Sequence, residues 1–250
     1  MNTIASPIPE LSAAPVPVAV PPPTEPTRVH LPIMIDGEVL IPGWVVDHES
    51  YRRWAHSDEF PKKGHYSYID GMLWVDLTME EFFSHNQMKV VYGGVLGPLV
   101  RKADTGYFGS DGNLWTNVEA GISTEPDSLF FTYEALRSER VRLIKGASHG
   151  YVEMEGSPNM ILEIVSDSSV KKDTQTLKDK CAKAGVDEYW LVDARGPALL
   201  FQIWCLQDGS YVLAVNDDGW LASTVFRRSF KLEQGKDRLG HPQFELLVRA

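Results

Sequence analysis

Two carboxylates in this chain sit where an acid is costly. Glu163 lies inside the run MILEIV (160–165), whose β-branched and apolar residues read as a strand buried on both faces. A carboxylate there costs several kcal/mol unless it is hydrogen-bonded, paired or bound to a metal, so Glu163 implies a partner. The candidate lies upstream, where Pro126 precedes Asp127 and Asp127 opens a second apolar run, SLFF (128–131). Neighbouring strands would bring Asp127 and Glu163 together at one sheet edge, the arrangement a hard divalent cation such as Mg²⁺ needs.

The elements that must position these acids follow from periodicity. Ser157 to Asp193 reads as strand, loop, helix, strand, since EYWLVD (188–193) repeats the buried-strand composition after a helical interval. In that interval Asp173 is placed to cap a helix that Gly185 ends, with Leu177, Cys181 and Ala184 facing the sheet. A second helix carries Met88, Val91, Val95 and Leu99 at helical spacing, with His85 just before the stripe. Asp-Gly pairs at 36–37 and 70–71 mark hairpins, Asp111-Gly112 marks a turn, and pairs at 208–209 and 218–219 divide the C-terminal region into consecutive strands. Those last strands would extend the sheet or pack as an antiparallel layer. Arg137, Arg140, Arg142 and Lys145 form the densest cationic stretch; a solvated face paired with Glu134 and Glu139 is the expectation, and a phosphate-contacting rim the alternative.

The phrases EPDSLFF, SPNMILEIVSDSS, KKDT and AGVDEYWLVDARG, in that order, resemble the bacterial Uma-two family of the PD-(D/E)xK restriction-endonuclease-like superfamily. The likeness runs from about residue 64 to about 205, and KDRLGHP (236–242) resembles one subgroup. It implies an α/β fold, a mixed β-sheet flanked by helices with extra antiparallel strands at both ends. It also implies an endonuclease that hydrolyses DNA with Mg²⁺ or Mn²⁺, and a homodimer. Asp127 and Glu163 become the metal-binding acids, the main-chain carbonyl of Ile164 a third ligand, and His85 a member of the site. Four positions depart from the family pattern. Ser67 stands where the family has Glu, Val165 where the superfamily has its Lys, Leu177 where many relatives place a substitute Lys, and Asn159 where an Asp is common. The missing Lys leaves Lys178 on the helix and Lys172 in the preceding loop, and Lys178 is favoured because a helix holds a catalytic group more rigidly than a loop. Position 159 reads as a turn residue, where Asn and Asp interchange. These departures also define the rival expectation, a catalytically inactive dimer of the same fold that acts as a binding or regulatory module.

Composition sets the outer bounds. A chain of 250 residues, 43% hydrophobic, can bury a full core. Its net charge of -10 argues against a protein that coats nucleic acid non-specifically and leaves room for a local groove. Cys181 and Cys205 are too few for a disulfide framework or a zinc site and read as buried thiols in a reducing cytoplasm. Residues 1–30 hold eight of the sixteen prolines and read as a disordered or polyproline II leader, neither signal peptide nor membrane span. Residues 31–250 then form the nuclease domain, with a β extension from about 198. No Gly-x-Ser-x-Gly elbow, Walker loop or His-Glu-x-x-His is present, which disfavours other hydrolytic chemistries.

Overall fold

The five Asp-Gly pairs act as hairpin or turn residues in the structure, a computed structural model that describes residues 30–147 and 150–250. Asp36 (φ 50°) and Gly37 (φ 71°) are both left-handed, the backbone that a tight hairpin turn requires and that this pair supplies at low cost. Between them the turns and helices lay out eighteen strands. Strands β1 (Ile33–Ile35) and β2 (Val39–Ile41) precede helix α1 (His48–Ala55), which Asp47 caps from its side chain. Then come β3 (His65–Ile69), β4 (Met72–Asp76), helix α2 (Gln87–Ala103), β5 (Gly106–Ser110), β6 (Leu114–Asn117), β7 (Ile122–Thr124) and β8 (Ser128–Thr132). The short α3 (Tyr133–Arg137) leads to β9 (Val141–Lys145), β10 (Tyr151–Gly156) and β11 (Met160–Ile164); α4 (Leu177–Lys183) leads to β12 (Glu188–Asp193). The chain ends with β13 (Leu200–Gln207), β14 (Ser210–Leu213), β15 (Asn216–Asp217), β16 (Trp220–Ser223), β17 (Arg228–Lys236) and β18 (Pro242–Arg249).

The architecture is mixed α/β. A central six-stranded sheet has the order β14-β13-β12-β11-β8-β5; β11 and β12 are parallel, joined through α4, and the other neighbours are antiparallel. A second six-stranded sheet, β4-β3-β7-β6-β10-β9, packs with α4 on one face of the first, through Trp115, Ile122 and Met154 against Ile161, Leu177 and Tyr189. The opposite face is covered by α2 and by the antiparallel sheet β15-β16-β17-β18, through Tyr92 and Leu96 and through Phe230 and Leu246 against Leu162 and Trp190. The C-terminal strands therefore do both things expected of them: β13 and β14 widen the central sheet, and the remaining four form a layer on it. The leader expected over residues 1–30 lies outside the described residues except for His30. Among the described residues no helix is long and apolar enough to cross a membrane.

Two local readings change. The buried face of α2 is Met88, Lys89, Tyr92, Leu96 and Val100, while Val91, Val95 and Leu99 are only partly buried, so the stripe is rotated by about one position and takes in a lysine. The segment before α4 is not a loop capped by Asp173. Residues 170–171 are already helical, and a π-helical turn, Lys172–Thr176, runs straight into α4. A π turn fits one extra residue into the helix and re-aims the side chains on it, here sending Asp173 inward, where it is buried.

Candidate active site

The register of β8 against β11 decides the relation between the two acids. Leu162 pairs with Ser128 and Ile161 with Leu129, so one further step places Glu163 opposite Asp127. Opposed residues of antiparallel neighbours share a face. Alternation agrees, since Leu129, Phe131, Ile161 and Val165 all belong to the core on the α4 side, and Asp127 and Glu163 fall in the same rows. The Ile164 N–H donates to Asp127 Oδ2 at 2.7 Å, which ties the first acid to the strand that carries the second. Because N–H and C=O of one strand residue point to the same edge, the Ile164 carbonyl faces the Asp127 side too.

Both acids line a cavity of about 120 Å³ together with His65, Ser67, Asp76, Glu80, His85 and Glu125, and it continues past Ser166 and Ser168 to Lys172 and Asp173. An adjoining open groove of about 540 Å³ runs past His85, Ser166 and Ser168 to Phe83 and Arg195. His85, on the π turn Phe82–Asn86 that begins α2, puts Nε2 3.7 Å from Asp127 Oδ2 and Nδ1 3.7 Å from Glu80 Oε1. Lys172 Nζ is 2.6 Å from Asp173 Oδ1 and 3.9 Å from Glu163 Oε2. Burial opposes the Lys172 charge, but Glu163 and Asp173 more than offset it, so its pKa lies above the usual lysine value. Burial drives Glu163 the other way, well above the carboxylate range, and raises Glu125 as well. Glu163 Oε1 is buried and has no hydrogen-bond partner among the described residues.

Lys178 is not in this cavity. It follows Leu177, which is fully buried, and its ammonium stands 4.1 Å above the ring of Trp204 on β13, a cation–π contact on the far flank of the helix. The rigidity argument that favoured Lys178 holds equally for Lys172, because the segment that carries Lys172 is helical. Ser67 does face the cavity, hydrogen-bonded to Thr124 through hydroxyls 2.7 Å apart. Asn159 is a structural clip outside it, accepting from the Thr132 N–H at 2.8 Å and donating to Asp187 at 2.7 Å. The cationic stretch is spent elsewhere as well: Arg137 pairs with Glu134, Arg140 with Asp187 and Arg142 with Glu155, and none of them lines the cavity.

Four residues of the site escape sequence reasoning: Glu80, Glu125, Asp173 and Lys89. Lys89 had a signal, a charge beside Met88 in an apolar helix stripe, but only the rotation of α2 shows that it points inward. Its ammonium meets Glu80, Asp127 Oδ1 at 3.2 Å and Asp111 Oδ2 at 3.2 Å. Glu125, immediately before Pro126, lies where β7 leaves the second sheet for β8 of the central one, a crossing that sequence spacing does not disclose.

Six carboxyl groups line the cavity, from Asp76, Glu80, Glu125, Asp127, Glu163 and Asp173; Lys172 is the one lysine or arginine among the lining residues, with the Lys89 ammonium behind Asp127. A polyanion would be repelled from such a surface unless a cation intervened. Among the described residues no three His, Cys, Asp or Glu side chains alone are spaced to hold an ion. Two carboxylates and a main-chain carbonyl remain, and oxygen donors of this kind suit a hard divalent ion. The unpartnered Glu163 Oε1 fits that use, because an ion would supply the partner it lacks.

The sequence model of one protein family, described as "Uma2: Putative restriction endonuclease", matches residues 48–233, which covers both acids and the whole of the central sheet. The chain belongs to this family. The Uma2 match begins at α1 and ends within β17, so it also takes in the second sheet. Among solved structures, the crystal structure of "a putative nuclease belonging to DUF820 from Anabaena variabilis ATCC 29413" is similar at 16% identity and a TM-score of 0.49, over 65% of this chain and 83% of that one. No curated protein matches the chain.

Proposed function

We propose that this Uma2 protein is a divalent-metal-dependent DNA endonuclease whose centre is Asp127 and Glu163. The observation that carries this reading is the pairing of the two acids on one sheet face, with the second holding a buried, unpartnered oxygen in an acidic cavity. Asp127, Glu163 and the Ile164 carbonyl would hold Mg²⁺ or Mn²⁺, which when bound lowers the pKa of a water and offsets charge on a phosphate.

The chain's own residues supply the rest. Lys172, whose ammonium pairs with Asp173 Oδ1 at 2.6 Å, is suited to stabilise negative charge developing on the phosphate and unsuited to act as a proton donor near neutral pH. It takes the role first given to Lys178. His85, between Glu80 and Asp127, helps fix the Asp127 carboxylate and borders both cavity and groove. The cavity has room for an ion and a phosphate group, and the groove, with the Arg195 guanidinium at its side, is where neighbouring nucleotides would lie.

The edge strands of the central sheet, β5 and β14, expose Tyr107, Val212 and Leu213, which supports the expected homodimer. The two free, buried cysteines suit a reducing cytoplasm. The deciding experiment is nicking of supercoiled plasmid in Mn²⁺ or Mg²⁺, with Asp127→Ala and Glu163→Ala as controls. Cleavage that needs metal and both acids is the expected result. Cleavage surviving either substitution would remove the assignment, and no cleavage combined with DNA binding would favour the inactive binding module.

A further inference from the structure

Lys89 is the least expected charge in the molecule. It lies on the buried face of α2 with its side chain 9% exposed, and its ammonium faces carboxylates from three separate segments. Glu80 comes from the loop before α2, Asp111 from the turn after β5 and Asp127 from the start of β8. A methionine of similar length would fill the same space without the cost of desolvating a charge, so the ammonium is there for its charge. Three carboxylates converging on one small cation is also the donor set that a divalent ion selects, at oxygen distances of roughly 2.0 to 2.6 Å. Here two of the three oxygens stand 3.2 Å from nitrogen, and among the described residues no trio of acids is spaced to hold an ion by itself. Glu163 Oε1, buried and without a hydrogen-bond partner among the described residues, belongs to the other acid.

We propose that the Lys89 ammonium is a fixed internal cation that occupies the Glu80, Asp111 and Asp127 side of the site, so that the pocket takes one divalent ion, toward Glu163, and not two. The inference deepens the metal reading and depends on it only for the Glu163 ion. It makes Lys89 a positioning residue: by holding Asp127 Oδ1 it leaves Oδ2 to the Ile164 N–H and sets the carboxylate before any ion arrives.

The test counts Mn²⁺ bound by the full chain, by calorimetry and equilibrium dialysis, in wild type and Lys89→Met. Lys89→Met should bind one more Mn²⁺ per chain than wild type, and adding Glu80→Gln with Asp111→Asn should abolish the extra ion. A change in packing alone would not add a metal. A wild type that binds none while Lys89→Met binds one still supports the role of Lys89, and it is the Glu163 ion of the proposed function that then fails. Equal counts in the two proteins overturn the inference. If Lys89→Met is unfolded in metal-free buffer, circular dichroism decides, since an ion bound only by the native state must draw the chain back to it. Recovery of the fold in millimolar Mn²⁺ by Lys89→Met, and not by the same variant carrying Glu80→Gln and Asp111→Asn, supports the inference; no recovery, or equal recovery by both, overturns it.

Discussion

Asp127 and Ile164 are joined by a 2.7 Å hydrogen bond from the main-chain N–H of the residue that follows Glu163 to the carboxylate Oδ2. The position of the first acid is thus set by the strand that carries the second. Asp127→Asn keeps an acceptor for this N–H and Asp127→Ala does not, leaving a buried donor unpaired at a cost of about 1–3 kcal/mol. Both variants should lose nicking activity by about a hundredfold or more, the scale of removing one group that stabilises transition-state charge. Only Asp127→Ala should also melt several degrees lower. Melting curves beside the plasmid assay check this, and wild-type nicking by Asp127→Asn would contradict the metal role.

Lys172 and Lys178 separate cleanly in the fold, one at Glu163 and Asp173, the other over Trp204. Lys172→Met should abolish most nicking at saturating Mn²⁺, while Lys178→Met should retain it and lose at most about 1 kcal/mol of stability with its cation–π contact. The reverse pattern would return the role to the helix position.

Burial raises the pKa of Glu163, and the sign of its effect on stability follows. Below the ordinary glutamate pKa the acid is protonated in both states. Above it the unfolded chain releases its proton while the native chain retains it, so metal-free stability falls as pH rises from that value toward the raised one. Glu163→Gln removes the liability. It should melt higher than wild type at neutral pH in chelator, by roughly 2–4 °C for each kcal/mol recovered, and the gap should close toward pH 4. A variant less stable than wild type at neutral pH would show that Lys172 compensates the acid fully.

Glu188 on β12 is completely buried and binds the C-terminal layer to the central sheet. It accepts from the Ser223 hydroxyl at 2.7 Å, the Thr224 N–H at 2.6 Å, the Val225 N–H at 3.1 Å and the Trp190 indole at 2.9 Å. Glu188→Ala should destabilise by several kcal/mol, since it leaves buried donors unpaired at a cost of about 1–3 kcal/mol each, as read from urea unfolding. A loss under about 1 kcal/mol would mean that water replaces the carboxylate.

Sequence alone determined the crossover from β11 to β12, the turns at the Asp-Gly pairs and the buried acid within β11, because each rests on a local rule. A buried strand shows as a dense apolar run, a tight turn needs residues that tolerate positive φ, and an acid in an apolar strand is conspicuous wherever that strand packs. The same reading supplied the family, since the phrases around Asp127 and Glu163 are contiguous in sequence. Tertiary structure decided what depends on rotation about an element or on segments far apart in the chain. The π turn at Lys172–Thr176 brings Lys172 and Asp173 into the cavity, and a change of register within a helix leaves no mark in residue spacing. The rotation of α2 turns Lys89 inward, where it meets acids from residues 80, 111 and 127. The passage of the chain from β7 in one sheet to β8 in the other puts Glu125 at the site. The charge balance of the pocket is a sum over these convergences, and a linear sequence cannot display it because its members become neighbours only after the sheets have packed.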